Sequence, residues 1–198
     1  MTNTTLEKQL EAAVGDPADL LITTDEYCLR QLPNAFENFD EVILPLLSND
    51  VEEYDVTVFY SRRKGITVPQ HEALRTYNQH AFDAAKHVPG LVIYFQGHLL
   101  IQPKSDHLDP KLDLSFTPDC MSFCIWQSLD HAKAGAALPQ HRDAASRVNQ
   151  WYDGFAIKKF KVSVQPRTAK EEPPQKIIFK PYERASDTTA KTTTLPLV

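Results

Sequence analysis

The chain has 198 residues, of which 42% are apolar and 24% charged, which excludes wholesale disorder and suits one domain with extensions. Its 26 acidic residues outnumber 21 basic ones for a net charge of −5, and the longest cationic run is Arg62-Arg63-Lys64, which argues against nucleic acid as a partner. No apolar run reaches about 18 residues, so no membrane partner is expected, and three cysteines without metal-ligand spacing fit a reduced, cytoplasmic setting.

The opening stretch MTNTTLEKQLEAAVGD is polar with an acidic stripe, the wrong composition for a signal peptide. Residues 5–14 read as a short amphipathic helix, Leu20-Leu21-Ile22 as an edge strand, and Phe36 to Leu47 carries spaced apolar residues ending near Pro45. Tyr54 to Tyr60 alternates and is rich in β-branched and aromatic residues, which predicts the first core strand. Pro69 then suits the first turn of a helix running to about His87, with Leu74, Tyr77, Ala81, Ala84 and Val88 as its apolar stripe. The turn signal Pro89-Gly90 precedes a long apolar strand, Leu91 to Gln102, and Pro103 to Pro118 has no helical period, which predicts a long hairpin connection.

Met121 to Gln127 reads as the third strand. Ser128 can cap a second helix, which Pro139 interrupts or restarts, and Phe155 to Val164 reads as the fourth strand. Lys176 to Lys180 suggests a late strand, and the small polar residues beyond Arg184 suggest a disordered tail. The expected division is an N-terminal extension at 1–50, a core at 51–165, a C-terminal extension at 166–184 and a tail at 185–198. The order strand, helix, strand, strand, helix, strand predicts an α+β, ferredoxin-like βαββαβ antiparallel sheet with both helices on one face. Its other face then needs cover from the extensions or from a second copy, so a homodimer is expected.

Candidate chemistry lies in polar residues set among aromatics. His98 follows Gly97 on the second strand and by alternation shares a face with Val92, Tyr94, Gln96 and Leu100. His141 opens the last helix, where the positive end of the helix dipole favours its neutral form, and the small Ala144 and Ala145 beside it leave room over the sheet. The catalytic candidates are therefore His98, His141 and Tyr94, with Trp126 as a further hydrogen-bond donor. The expected walls of an apolar pocket are Tyr60, Phe95, Phe123, Trp126, Val148 and Tyr152. His71, His80, His87 and His107 read as exposed, and Cys120 and Cys124 as small buried residues facing the same side of a strand. No metal site and no cofactor are expected, because no dinucleotide, phosphate-loop, zinc or nucleophile-elbow motif is present.

Ser122 to Val162, SFCIWQSLDHAKAGAALPQHRDAASRVNQWYDGFAIKKFKV, resembles the second half of antibiotic-biosynthesis-monooxygenase-type proteins, through Trp126, Pro139, His141, Tyr152 and Phe155. With LVIYFQGHLLIQ it is similar to an uncharacterised fungal family, matching at Tyr94-Phe95 and Gly97 and departing at Ile93 and Gln96. The resemblance covers roughly residues 40–165 and implies a dimeric α+β barrel. It also implies natural-product tailoring chemistry on a hydrophobic small molecule. The reading that follows is a cofactor-independent cyclase, with an intramolecular Diels–Alder [4+2] cycloaddition of a terpenoid or polyketide favoured, since such a reaction needs little beyond confinement. The alternatives are a cofactor-free monooxygenase of phenols or anthrones and a non-catalytic binding protein for a hydrophobic metabolite. All three require a hollow between helices and sheet.

Overall fold

Alternation along the first strand sets the architecture. Tyr54, Val56, Val58 and Tyr60 are buried on one face of β1 (Tyr54–Arg63), while Asp55, Thr57, Phe59, Ser61 and Arg63 occupy the other. The computed structural model describes residues 20, 32, 35–48, 50–65, 67–99, 114–116, 118–165 and 176–182, without the side chains of 96–99 and 181. Preceding β1 are α1 (Phe39–Ile43) and a 3-10 turn (Leu44–Leu46). After it come α2 (Val68–Ala85), β2 (Leu91–Leu99), β3 (Cys120–Trp126), α3 (Leu129–Ala136), α4 (Pro139–Ser146), α5 (Val148–Trp151), β4 (Tyr152–Val164) and β5 (Ile177–Pro181).

The sheet order is β2-β3-β1-β4-β5 with every pairing antiparallel. The first four strands in this order, with α2 to α4 on one face, make the ferredoxin-like fold that the element order predicts. The late strand joins the sheet at the β4 edge, pairing Val162 with Phe179. Local signals behave as chemistry requires. Thr67 and Gln70 form a capping box that spans Pro69, the Ser128 hydroxyl accepts the His131 N–H at 3.3 Å, and Pro139 begins a new helix after α3 ends. Gly90 has φ +81, a conformation that suits glycine, and a Cβ there would meet the His131 ring at 2.4 Å. The fourth strand begins at Tyr152, three residues before its expected start, because Tyr152 and Gly154 already pair with Arg63 and Arg62 across a bulge.

The sheet face turned away from α2 to α4 is packed solid. Val56, Val58 and Tyr60 meet Met121, Phe123 and Ile125 there, and Phe36, Phe39 and Ile43 from the N-terminal segment close over them. Phe36 sits edge-on to Phe95 at 5.3 Å and to Phe123 at 5.7 Å, while Phe39 lies 5.7 Å from Phe179. Thus the N-terminal extension covers the face for which the sequence offered an extension or a second copy. Among the described residues no helix is long and apolar enough to cross a membrane. The expected helix at 5–14, Leu21-Ile22, His107 and the expected tail at 185–198 lie outside the described residues, and Leu20 is buried without strand structure.

Candidate functional site

The helix-facing side of the same sheet is hollow, for a compositional reason. β1 and β3 present Thr57, Ser61, Cys120, Ser122 and Cys124 there, all smaller than the Val, Tyr, Phe and Ile of the packed face. The helices answer with Ala81 and Ala85 from α2, Ala132 and Ala136 from α3, and Ala144 and Ala145 from α4. Small side chains from both sides cannot fill the gap, and a cavity of about 600 Å³ remains. Phe155 and Ile157 on β4 line it while staying 38% and 50% exposed, which puts them at its rim.

His141 stands on the helical wall with its Nδ1 buried and without a hydrogen-bond partner among the described residues. Burial holds its pKa below the ordinary 6.5, so the imidazole is neutral at pH 7 and offers one donor and one acceptor. Tyr94 is on the floor, its ring edge-on to Phe82 at 5.4 Å, and burial raises its hydroxyl well above the usual range. Tyr152 shares the cavity, its hydroxyl raised by burial against the opposing effect of a hydrogen bond from the Asn78 side chain. Both phenols are therefore protonated donors near neutral pH.

Two thiols complete the floor. Trp126 donates its indole N–H to the Cys124 sulfur at 3.0 Å, and burial pushes that thiol up to about 11. Cys120 is likewise pushed up by burial, with the Arg63 guanidinium pulling the other way from 4.0 Å. At the far side Asp55, only 3% exposed, accepts from Lys161 Nζ at 3.0 Å and from the Tyr182 hydroxyl. Among the described residues no group of three or more His, Cys, Asp or Glu side chains is placed to hold a metal ion.

The structure thus brings His141, Tyr94, Trp126, Val148 and Tyr152 to one cavity. It places Tyr60, Phe95 and Phe123 elsewhere, which corrects their expected role as pocket walls. All three are core side chains on the opposite face, with Phe95 and Phe123 stacked at 5.3 Å. The reason is parity: Tyr60 shares its face with Val56 and Val58, and Phe123 pairs across with Val58. His98 lies on β2 opposite Met121, beyond an irregularity between Phe95 and His98, and its side chain is outside the described residues. A second irregularity between Leu91 and Ile93 breaks the alternation expected to join Val92 to Tyr94, and Val92 belongs to the packed core. Sequence reasoning missed Arg63, Asn78 and Asp55 as lining residues, although the polar odd positions of β1 were a usable signal.

Comparison with solved structures finds a dimeric ferredoxin-like protein of unknown function from Thermobifida fusca, 16% identical, covering 55% of this chain and 91% of that one at a TM-score of 0.40. It also finds a putative antibiotic biosynthesis monooxygenase from Chloroflexus aurantiacus, 19% identical, covering 59% of this chain and 97% of that one at 0.34. A hydroxynitrile lyase from Passiflora edulis is 10% identical, covering 59% of this chain and 99% of that one at 0.41. No curated protein matches the sequence. Residues 4–172 match the model of a family described as PB2B2.08-like.

Proposed function

The chain belongs to the PB2B2.08-like family, and on that premise we propose that it holds an apolar small molecule between sheet and helices and cyclises it without a cofactor. The observation that carries this reading is the cavity. Its volume of about 600 Å³ falls inside the roughly 300–1,000 Å³ of small-molecule sites. Its walls combine apolar surface with the few protonated donors His141, Tyr94 and Tyr152. In a [4+2] closure two C–C σ bonds form as π bonds are consumed, and no proton or electron leaves the substrate. The protein's share is to hold the chain in a reactive conformer and to donate a hydrogen bond to a carbonyl that gains charge in the transition state. The finer reading, fungal natural-product tailoring with the norbornene-forming Diels–Alder cyclisation of sordarin biosynthesis as its candidate, is supported by the sequence resemblance alone.

The test incubates purified protein with terpenoid and polyketide chains that carry a diene and an activated alkene. The expected result is a product of unchanged mass and new retention time, formed faster than in protein-free buffer. Saturable binding with no product from any member of the panel would favour a carrier. A second reading is favoured by the neutral imidazole of His141 on the cavity wall, which suits removal of a phenolic proton before oxygen attack. Stoichiometric oxygen uptake with an anthrone would establish that oxygenase.

Homodimer formation is part of the same proposal. Its support is the exposed apolar pair Phe155 and Ile157, since residues 36–47 already cover the opposite face. A 22.4 kDa monomer in sedimentation velocity at tens of micromolar would overturn it. A cytoplasmic location is supported by the free thiols of Cys120 and Cys124.

A further inference from the structure

Arg63 ends β1 on the hollow side, and its guanidinium is only partly committed. Nη1 donates to His71 Nε2 at 3.2 Å and Nη2 approaches the Cys120 sulfur at 4.0 Å, while Nε is buried with no hydrogen-bond partner among the described residues. Among the described residues Arg63 forms no ion pair. Its nearest acid, Asp119, is used differently. Asp119 Oδ2 accepts the Arg63 backbone N–H at 3.0 Å, and Oδ1 is buried without a partner among the described residues. Nη1 and Nη2 each carry a second N–H with no partner among the described residues, and these are the donors an anion in the cavity can use.

The other cations on the lining are worse placed for that task. Lys133 is exposed and paired with Asp130 at 3.0 Å, and Lys159 is exposed at the rim. Around Arg63 stand groups that suit an oxyanion: Tyr152 with Asn78, and Ser61 beside Cys120. Between this end and the Asp55–Tyr182 pair at the far side, the lining includes the apolar or small Phe59, Ala81, Ala85 and Ala132. One end of the hollow thus carries a cation without an ion-pair partner among the described residues, the far end carries Asp55 already paired with Lys161, and apolar and small side chains lie between.

From this polarity we infer that the ligand is a hydrophobic carboxylic acid, its carboxylate held by Arg63 and its hydrocarbon body lying over the sheet. The inference rests on the cavity being the ligand site and adds the charge and orientation of what enters it. A guanidinium is the side chain best matched to a carboxylate, because its planar fork presents parallel N–H donors. The Asp119 carboxylate opposes the incoming anion, so the site binds an acid more weakly than Arg63 alone would allow.

The experiment titrates the full chain with cis-parinaric acid and with its uncharged methyl ester, following polyene fluorescence. Wild type is expected to prefer the acid by about 10–100-fold, the range of a charge-assisted hydrogen bond. Arg63→Met should abolish that preference while leaving ester affinity within a few-fold, and Arg63→Lys should keep only part of it. Asp119→Asn should increase the preference for the acid. If Arg63→Met loses both ligands through misfolding, an acid-to-ester ratio unchanged in Asp119→Asn and Arg63→Lys overturns the inference. Equal binding of acid and ester by wild type also overturns it and leaves the cavity reading standing. Failure of both probes to bind wild type overturns the cavity reading and this inference together.

Discussion

Gly135 on α3 lies directly against the indole of Trp126: a Cβ at that glycine would stand 2.5 Å from the ring's Cη2 atom. The ring is also held by the N–H bond to Cys124, and the hollow that it lines is open space into which it can yield. Gly135→Ala gains about 1 kcal/mol of helix propensity and loses about 1–3 kcal/mol to overpacking. The expected outcome is a small net destabilisation in urea, a shifted tryptophan emission and weaker binding of bulky apolar probes. Unchanged emission and unchanged binding would show that the indole does not wall the cavity.

His141 makes stability depend on pH in a defined direction. The unfolded chain titrates this group at its ordinary 6.5, while burial holds the folded value lower. Between the two the unfolded state binds the extra proton, so stability rises with pH through that window and is fully present above it. Acidification from pH 7 should therefore destabilise wild type more steeply than His141→Gln, compared by urea unfolding at each pH. With a substrate in hand, the same substitution should lower turnover by about 10²–10⁴-fold if the imidazole moves a proton. A loss matched by loss of folded protein would remove His141 from the chemistry.

The two described cysteines should resist alkylation in the native state. Burial raises both thiols, and for Cys124 a pKa of about 11 against the ordinary 9.0 means roughly 100-fold less thiolate near neutral pH. Cys120 should label faster than Cys124, because Arg63 partly offsets its burial. Peptide mass spectrometry after timed iodoacetamide exposure gives the order, and rapid native labelling of Cys124 would contradict the geometry.

The Tyr182 hydroxyl ties the segment after β5 to the buried Asp55 of β1. Tyr182→Phe removes a hydrogen bond to a charged acceptor, which should cost about 1.5–3 kcal/mol. Among the described residues, Lys161→Met leaves the carboxylate with Tyr182 as its remaining side-chain partner and should cost at least as much. Equilibrium urea unfolding measures both. A change within about 0.5 kcal/mol for each, the range of ordinary surface substitutions, would mean that Asp55 draws no stability from either group.

Much of this was legible in the residues. Alternation in β1, the caps at Thr67 and Ser128 and the break at Pro139 each act locally, so the order of elements and the antiparallel sheet could be read directly. Whether an aromatic faces core or cavity was harder, because it turns on parity. Tyr60 and Tyr94 look alike on paper, yet Tyr60 is counted on the face of Val58, while Tyr94 follows an irregularity that resets the count in β2. Arg63 escaped notice because it sits in a cationic run that reads as a solvated strand end. Its environment depends on Cys120 and Asp119, some 56 residues further along the chain.

The odd–even partition of β1 has a bearing on how such a scaffold diversifies. Val56, Val58 and Tyr60 anchor the molecule on the side away from the guest, together with Phe36 and Phe39. Thr57, Ser61 and Ser122 meet whatever the hollow holds. Selection can therefore reshape the mould by exchanging one set while the other keeps its ballast, so sister lineages should drift in what they accept well before they drift in how they fold.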